Sequence, residues 1–249
     1  MKIVRAIADL RAEPREGTVG LVPTMGAFHE GHLALFRAAR EENDLVVASL
    51  FVNPAQFGAG EDLDSYPRDA ARDAKAAEET GVDILFTPAT DELYPPGFQT
   101  WVEVEELGSR LEGEHRPGHF RGVATICLKL FNIVRPDRAY FGQKDAQQVA
   151  VIRRMVRDLD HEVEIRVVAI IRDADGLALS SRNAYLGPEE RAHALALPSA
   201  LQAGDRSLLN GLEVDYFVEA DFEPRVRAAA VRVGRTRLID NVVLEGDNR

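Results

Sequence analysis

The chain has 249 residues, of which 45% are hydrophobic and 29% charged, enough for one large α/β domain or for a domain of ~150–180 residues with a smaller companion. Its formal net charge of −11 argues against a general nucleic-acid binder, because a phosphate backbone needs a concentrated basic face. The single cysteine, Cys127, excludes an intrachain disulfide; it lies in the apolar run 123–134 and reads as a buried, inert thiol.

In chain order, 19–23 is a short apolar run ending in Pro23, a buried strand. Residues 33–40 have helical spacing, with Leu33 and Phe36 on one side. Residues 45–52 form a continuous apolar run of strand length. Residues 70–80, rich in Ala and charge, form a helix stopped by Gly81, and 82–87 is the next strand. Pro95-Pro96 makes 93–97 a loop. Residues 122–134 read as a buried helix ended by Pro136, 138–141 as a strand, 145–159 as a helix and 162–171 as a strand.

Strands alternating with helices predict a parallel sheet covered on both faces, with ligands at the carboxyl ends of the strands. The texture changes after Ile171. Residues 172–186 are polar and turn-rich, Pro188 opens a helix to about Leu197, and 226–233 with 236–244 form a hairpin about Gly234-Arg235. The expected fold is α/β: a Rossmann-like parallel-sheet domain over 1–172 and a smaller α+β lid domain over 173–249. No apolar stretch approaches the ~20 residues that span a bilayer, and Met1-Lys2-Ile3-Val4-Arg5 lacks the apolar core of a signal peptide. A cytoplasmic protein without membrane or nucleic-acid partners is expected.

Three clusters carry chemistry. Residues 23–32, Pro-Thr-Met-Gly-Ala-Phe-His-Glu-Gly-His, follow the first strand and open a helix. Gly26 permits a sharp turn, Gly31 a close approach of phosphate to backbone, and the helix start offers free N–H groups and partial positive charge. His29 and His32 share one face of the first turn. A metal pair or incidental surface histidines are the other readings, but no third metal ligand is evident. The second cluster, Gly142-Gln143-Lys144-Asp145, again sits between strand and helix and puts a lysine within reach of phosphate; a capped helix with a surface lysine is its plain alternative. Gln147 and Gln148 follow on the first turns, pointing ~100° apart. The third, Leu179-Ser180-Ser181-Arg182-Asn183, offers two hydroxyls and a guanidinium, a pattern many loops reach by chance.

His-x-Gly-His after a strand is similar to the signature of the nucleotidylyltransferase superfamily. Further blocks narrow this. Residues 23–32, 51–57 (Phe-Val-Asn-Pro-Ala-Gln-Phe), 66–68 (Tyr-Pro-Arg), 116–122 (Arg-Pro-Gly-His-Phe-Arg-Gly), 141–148 and 175–183 resemble the pantothenate synthetase family in order and spacing. The resemblance runs from about residue 1 to 187 and resumes at 235–241, Arg-Thr-Arg-Leu-Ile-Asp-Asn.

That resemblance implies an ATP-dependent ligase: pantoate attacks the α-phosphorus of ATP, and β-alanine then attacks the pantoyl-adenylate. It implies that His29 and His32 contact ATP phosphates, that Lys144 neutralises their charge, and that Ser180, Ser181 and Arg182 close over them. Met25, Gly26, Gly31, Gly142, Gln143, Asp145, Ile171 and Leu179 complete the implied ATP site. Gln56 and Gln148 are implied to hold pantoate, with Asn53 nearby and Met25 against the intermediate. Mg²⁺ is implied to bridge ATP phosphates, with Asp73 as an outer-shell partner, and a homodimer is expected. Arg116 and His119 sit in a matching block without an assigned role.

The chain departs from the family at Gln143, where Glu is common, and at Ala146, where an aromatic is common. Its C-terminal region reads some ~30 residues short, with little helix between Leu197 and Val214. Two rival readings are a nucleotidylyltransferase acting on a phosphorylated acceptor, which would not need Gln56 and Gln148, and a nucleotide-binding regulator without catalysis. His29, His32, Lys144 and Arg182 oppose the second.

Overall fold

A computed structural model describes residues 1–244. The chain forms two compact units: 1–141 with 151–168, and 142–150 with the chain from Ala169 onward.

The first unit is built on a six-stranded sheet. Its strands are β1 Lys2–Val4, β2 Val19–Thr24, β3 Leu45–Leu50, β4 Ile84–Phe86, β5 Arg138–Gly142 and β6 Glu164–Val168, in the order β1-β4-β3-β2-β5-β6. The pairs β1–β4, β4–β3, β3–β2 and β2–β5 are parallel. The helices are α1 Ile7–Ala12, α2 Glu30–Glu42, α3 Ala70–Glu79, the short α4 Thr90–Leu93, α5 Glu105–Ser109 and α6 Glu112–His115, then α7 His119–Val134 and α8 Ala146–Asp158. α8 begins in the second unit and ends in the first. In β2, Val19 to Val22 are all buried, the apolar run expected of a strand covered on both faces. Phe28, Leu35, Phe36 and Ala39 from the α2 side meet Val22, Val46, Ala48 and Leu85 of the sheet. α7 buries eleven of its sixteen residues, Cys127 among them; burial pushes that thiol up to about 12, so it stays protonated and inert.

The second unit carries an antiparallel sheet, β7 Glu213–Ala220, β8 Val226–Val233 and β9 Thr236–Val243, in that order. Ala194 of α9 Pro188–Ala194 and Leu197, Ala200 and Leu201 of α10 Ala196–Ala203 share a core with Ala229, Val231 and Leu238. The expected hairpin is β8–β9, with Val233 opposite Thr236.

Several elements differ from expectation. β1, α1, the short helices α4, α5 and α6, and β7 were not anticipated; β7 has a register shift between Val214 and Tyr216 that breaks its alternation. The single helix from Pro188 is two helices meeting at Leu195. Pro198 lacks the N–H that a continuous helix would need, yet fits the first turn of a new one. There is also more helix after Leu197 than expected, since α10 runs to Ala203 and a 3-10 turn covers Arg206–Leu209.

Candidate active site

β2 delivers the chain to a turn in which Gly26 has φ +92° and Ala27 φ +54°. A Cβ on Gly26 would lie 2.7 Å from Leu50 Cδ1 and 2.9 Å from Asp73 Oδ2, so the position is closed to side chains. Asp73 of α3, 2% exposed, fixes the turn: its two carboxylate oxygens accept the backbone N–H groups of Ala27 and Phe28, each at 2.8 Å.

His29 caps α2. Its Nδ1 accepts the Gly31 N–H at 3.2 Å, and its own N–H donates to His32 Nδ1 at 3.4 Å. The pair forms a reciprocal capping box with imidazoles in place of the usual hydroxyl and carboxylate. The ring centroids are 4.2 Å apart. Since Nδ1 accepts in both rings, each neutral imidazole carries its proton on Nε2. Gly31 has a use beyond phosphate approach. A Cβ there would stand 2.9 Å from His29 Cε1, so glycine is what lets the His29 ring lie over the helix start.

A second group in the same unit gathers Met25, Asn53 and Gln56. Gln56 Nε2 donates to Met25 Sδ at 3.0 Å, and Asn53 Nδ2 donates to Gln56 Oε1 at 3.0 Å and to the Gly122 carbonyl at 3.2 Å. Asn53 Oδ1 accepts from Ala55 N–H and from the Tyr94 hydroxyl at 2.9 Å. Every polar atom of the Asn53 side chain is therefore engaged; its work is to hold Gln56.

Behind Gln56 stands His119, whose Nδ1 lies 2.8 Å from the Gln56 carbonyl and whose Nε2 lies 3.1 Å from Arg116 Nη1. Arg116 can only donate, so His119 Nε2 accepts and Nδ1–H donates to the carbonyl. Burial and then the Arg116 charge push His119 down to about 4, which agrees with this neutral tautomer. Arg116 also forks onto Glu61, at 2.9 and 2.6 Å. Burial raises the Glu61 carboxyl, but the Arg116 hydrogen bond and charge outweigh it and hold it below the usual range.

In the second unit, Gly142 leads into a 3-10 turn Gln143–Asp145 and then α8. Lys144 Nζ is 3.5 Å from Asp145 Oδ1. Gln143 is buried, and its Nε2 donates to Asn241 Oδ1 at 3.1 Å. Ala146 and Gln147 are buried, while Gln148 is half-buried, so the two glutamines do face different ways.

Ile171 and Leu179 are joined by a 2.9 Å backbone hydrogen bond that closes the 172–178 turn. Arg191 holds that turn through Asp173 and Asp175. Ser180 Oγ then accepts the Arg182 N–H at 3.3 Å and caps the turn Ser181–Tyr185. Asn183 Oδ1 is buried with no hydrogen-bond partner, an acceptor left over beside the two serines.

Among the described residues no group of three His, Cys, Asp or Glu could hold a metal. Asp73 has both oxygens committed to backbone amides, so its contacts are those of a loop anchor. Tyr94, Glu61, Arg172 and Asp240 support these residues but had no assignment from sequence; Tyr94 is hidden in the Pro-Pro loop, and only Asp240 lay in a matching block, 235–241.

The sequence profile of the family described as pantoate-beta-alanine ligase matches residues 2–243. The chain is 51% identical to pantothenate synthetase of Acidobacterium capsulatum, over 98% of this chain and 97% of that one. It is also 51% identical to that of Heliobacterium modesticaldum, over 98% and 100%. The latter alignment spans 281 positions, 32 more than the 249 residues of this chain, in keeping with a shortening of about the size read from sequence. Among solved structures, pantothenate synthetase from Thermus thermophilus superposes with a TM-score of 0.93 at 47% identity, covering 98% of this chain and 99% of that one. The ligase of Francisella tularensis, complexed with beta-gamma ATP and beta-alanine, superposes at 0.89 with 34% identity, covering 98% and 97%.

Proposed function

Because the chain belongs to the pantoate-beta-alanine ligase family, we propose that it condenses pantoate with β-alanine in two steps. The pantoate carboxylate attacks the α-phosphorus of ATP and expels pyrophosphate. The β-alanine amine then attacks the activated carbonyl and expels AMP. A carboxylate is a poor acylating agent, and adenylation supplies a good leaving group; a closed site shields the mixed anhydride from water.

The observation that carries the reading is the histidine capping box. Two imidazoles with Nδ1 tied to backbone offer Nε2–H donors at a helix N-terminus, where developing negative charge on phosphate is stabilised. His29 and His32 take the phosphates, and His32 also takes part in proton transfer. Lys144 neutralises charge on the same phosphates, and Ser180, Ser181 and Arg182 close over them. Met25, Gly26, Gly31, Gly142, Gln143, Asp145, Ile171 and Leu179 serve the nucleotide. Gln56 and Gln148 bind pantoate, with Asn53 holding the Gln56 amide. Mg²⁺ would come with ATP and would supply charge neutralisation of its phosphates; no step is assigned to a protein-bound metal. The enzyme works in the cytoplasm as a homodimer.

The test is ATP–pyrophosphate exchange. Exchange that requires pantoate, followed by pantothenate formation on adding β-alanine, is expected. Exchange without pantoate, or none with it, would refute the reading.

A further inference from the structure

The Lys144 turn is held by the last strand of its own unit. Asn241 of β9 is 2% exposed. Its two amide protons go to two consecutive backbone carbonyls, Gln143 and Lys144, each at 2.9 Å, and its Oδ1 accepts from Gln143 Nε2. Asn241 itself is fixed from behind. Its backbone N–H donates to Asp240 Oδ1 at 2.7 Å, and Arg172 grips both oxygens of Asp240 at 2.7 and 3.0 Å. Arg172 also donates to the Asn241 carbonyl at 3.4 Å and to that of Gly176 at 3.2 Å. One guanidinium thus ties β9 to the turn that precedes Leu179 and Ser180.

Two carbonyls accepting from one amide group fix the peptide plane on either side of the Lys144 Cα. That restricts where the lysine side chain starts, which is what a charge-stabilising group needs. Gln143 fits this arrangement as an amide: its Nε2 is a donor facing the Asn241 oxygen, where a carboxylate would present acceptor to acceptor.

Given the phosphate role proposed above for Lys144, we propose that Asn241, oriented by the Arg172–Asp240 ion pair, is a positioning residue for Lys144 in the adenylation step. A side chain that only stabilises the unit would lower the yield of folded enzyme; one that positions Lys144 lowers the rate through that lysine.

A double-mutant cycle on the full chain separates the two. Pantoate-dependent ATP–pyrophosphate exchange is measured for wild type, Asn241→Ala, Lys144→Ala and the double variant, with folded protein quantified by its unfolding transition. Asn241→Ala is expected to slow exchange about tenfold with the pantoate KM within about twofold of wild type, and to have less than a twofold effect when Lys144 is already alanine. Equal losses in both backgrounds, or a wild-type rate in Asn241→Ala, overturn the positioning role while leaving the reaction assignment standing. An unchanged rate in Lys144→Ala removes the lysine from the chemistry and the positioning role with it. Should Asn241→Ala fail to fold, Asp240→Asn keeps the shape of the support but turns an amide donor toward Arg172, removing the ion pair and one of its two hydrogen bonds. The same non-additivity with Lys144→Ala is then expected from a loss of about threefold, and additivity overturns the proposal.

Discussion

The His29 turn and the Lys144 turn are both strand-to-helix junctions, yet they are held in opposite ways. The histidines cap each other's helix start across two and three residues; one long-range anchor, Asp73, fixes the preceding loop. The lysine turn is held by Asn241, 97 and 98 residues later in the chain. A local motif carries its geometry with it, whereas a remote clamp exists only once the whole unit has folded. The Gln56 corner is intermediate, assembled from Met25, Asn53, Tyr94 and His119 over four separate segments.

The largest expected effect treats the two turns alike. His32→Ala or Lys144→Ala lowers the adenylation rate at least ~10²-fold, since each removes charge stabilisation from the transition state. Single-turnover formation of adenylate at near wild-type rate in either variant would remove that residue from the chemistry.

Next comes the Asp73 support of the histidine turn. Asp73→Asn keeps one acceptor but turns an N–H donor toward the other backbone amide, costing about 3 kcal/mol of stability in a urea titration. An unaltered Mg²⁺ requirement is expected alongside. A raised Mg²⁺ requirement with unchanged stability would instead give Asp73 to the metal.

The third expectation concerns His119. Its folded value of about 4 lies below the ordinary 6.5, so the unfolded chain takes up a proton that the folded chain refuses. Stability from this group is complete above pH 6.5 and is lost as pH falls toward 4, by roughly 3 kcal/mol in all. The Arg116 charge reinforces the depression, and the Gln56 carbonyl, Glu61 and Glu112 oppose it. Replacing it in His119→Gln, which retains a donor and an acceptor, should flatten the stability–pH curve over that window; an unchanged slope would assign the pH dependence elsewhere.

The smallest effect is expected at Tyr94, whose hydroxyl donates to Asn53 Oδ1. Burial holds this phenol well above its ordinary range, so it remains a donor throughout the working pH range. Tyr94→Phe should cost about 1 kcal/mol and raise the pantoate KM more than it changes kcat, if Asn53 holds the Gln56 amide. A kcat effect at constant KM would break the link to pantoate.

Much of this was legible in the residues. The apolar runs at 19–23 and 45–52 gave β2 and β3, and the Pro-Thr-Met-Gly-Ala-Phe-His-Glu-Gly-His string carried its own turn. Pro188 marked the start of α9, and Gly234-Arg235 the turn of the last hairpin. β1, of three residues, is too short to show a period, and β7 is interrupted by its register shift. The resemblance implied Asp73 as an outer-shell metal partner; its burial and its two backbone amide partners were not written in its neighbours.

The sequence by itself determined the family and with it the reaction class, through motif blocks that resemble that family in order and spacing, and it determined the histidine turn, because turn chemistry acts within a few residues. Only the tertiary structure decided what holds the rest. Asn241 beneath Lys144, Asp73 beneath Gly26 and His119 behind Gln56 are hydrogen bonds between distant segments, and such bonds have no local period to read.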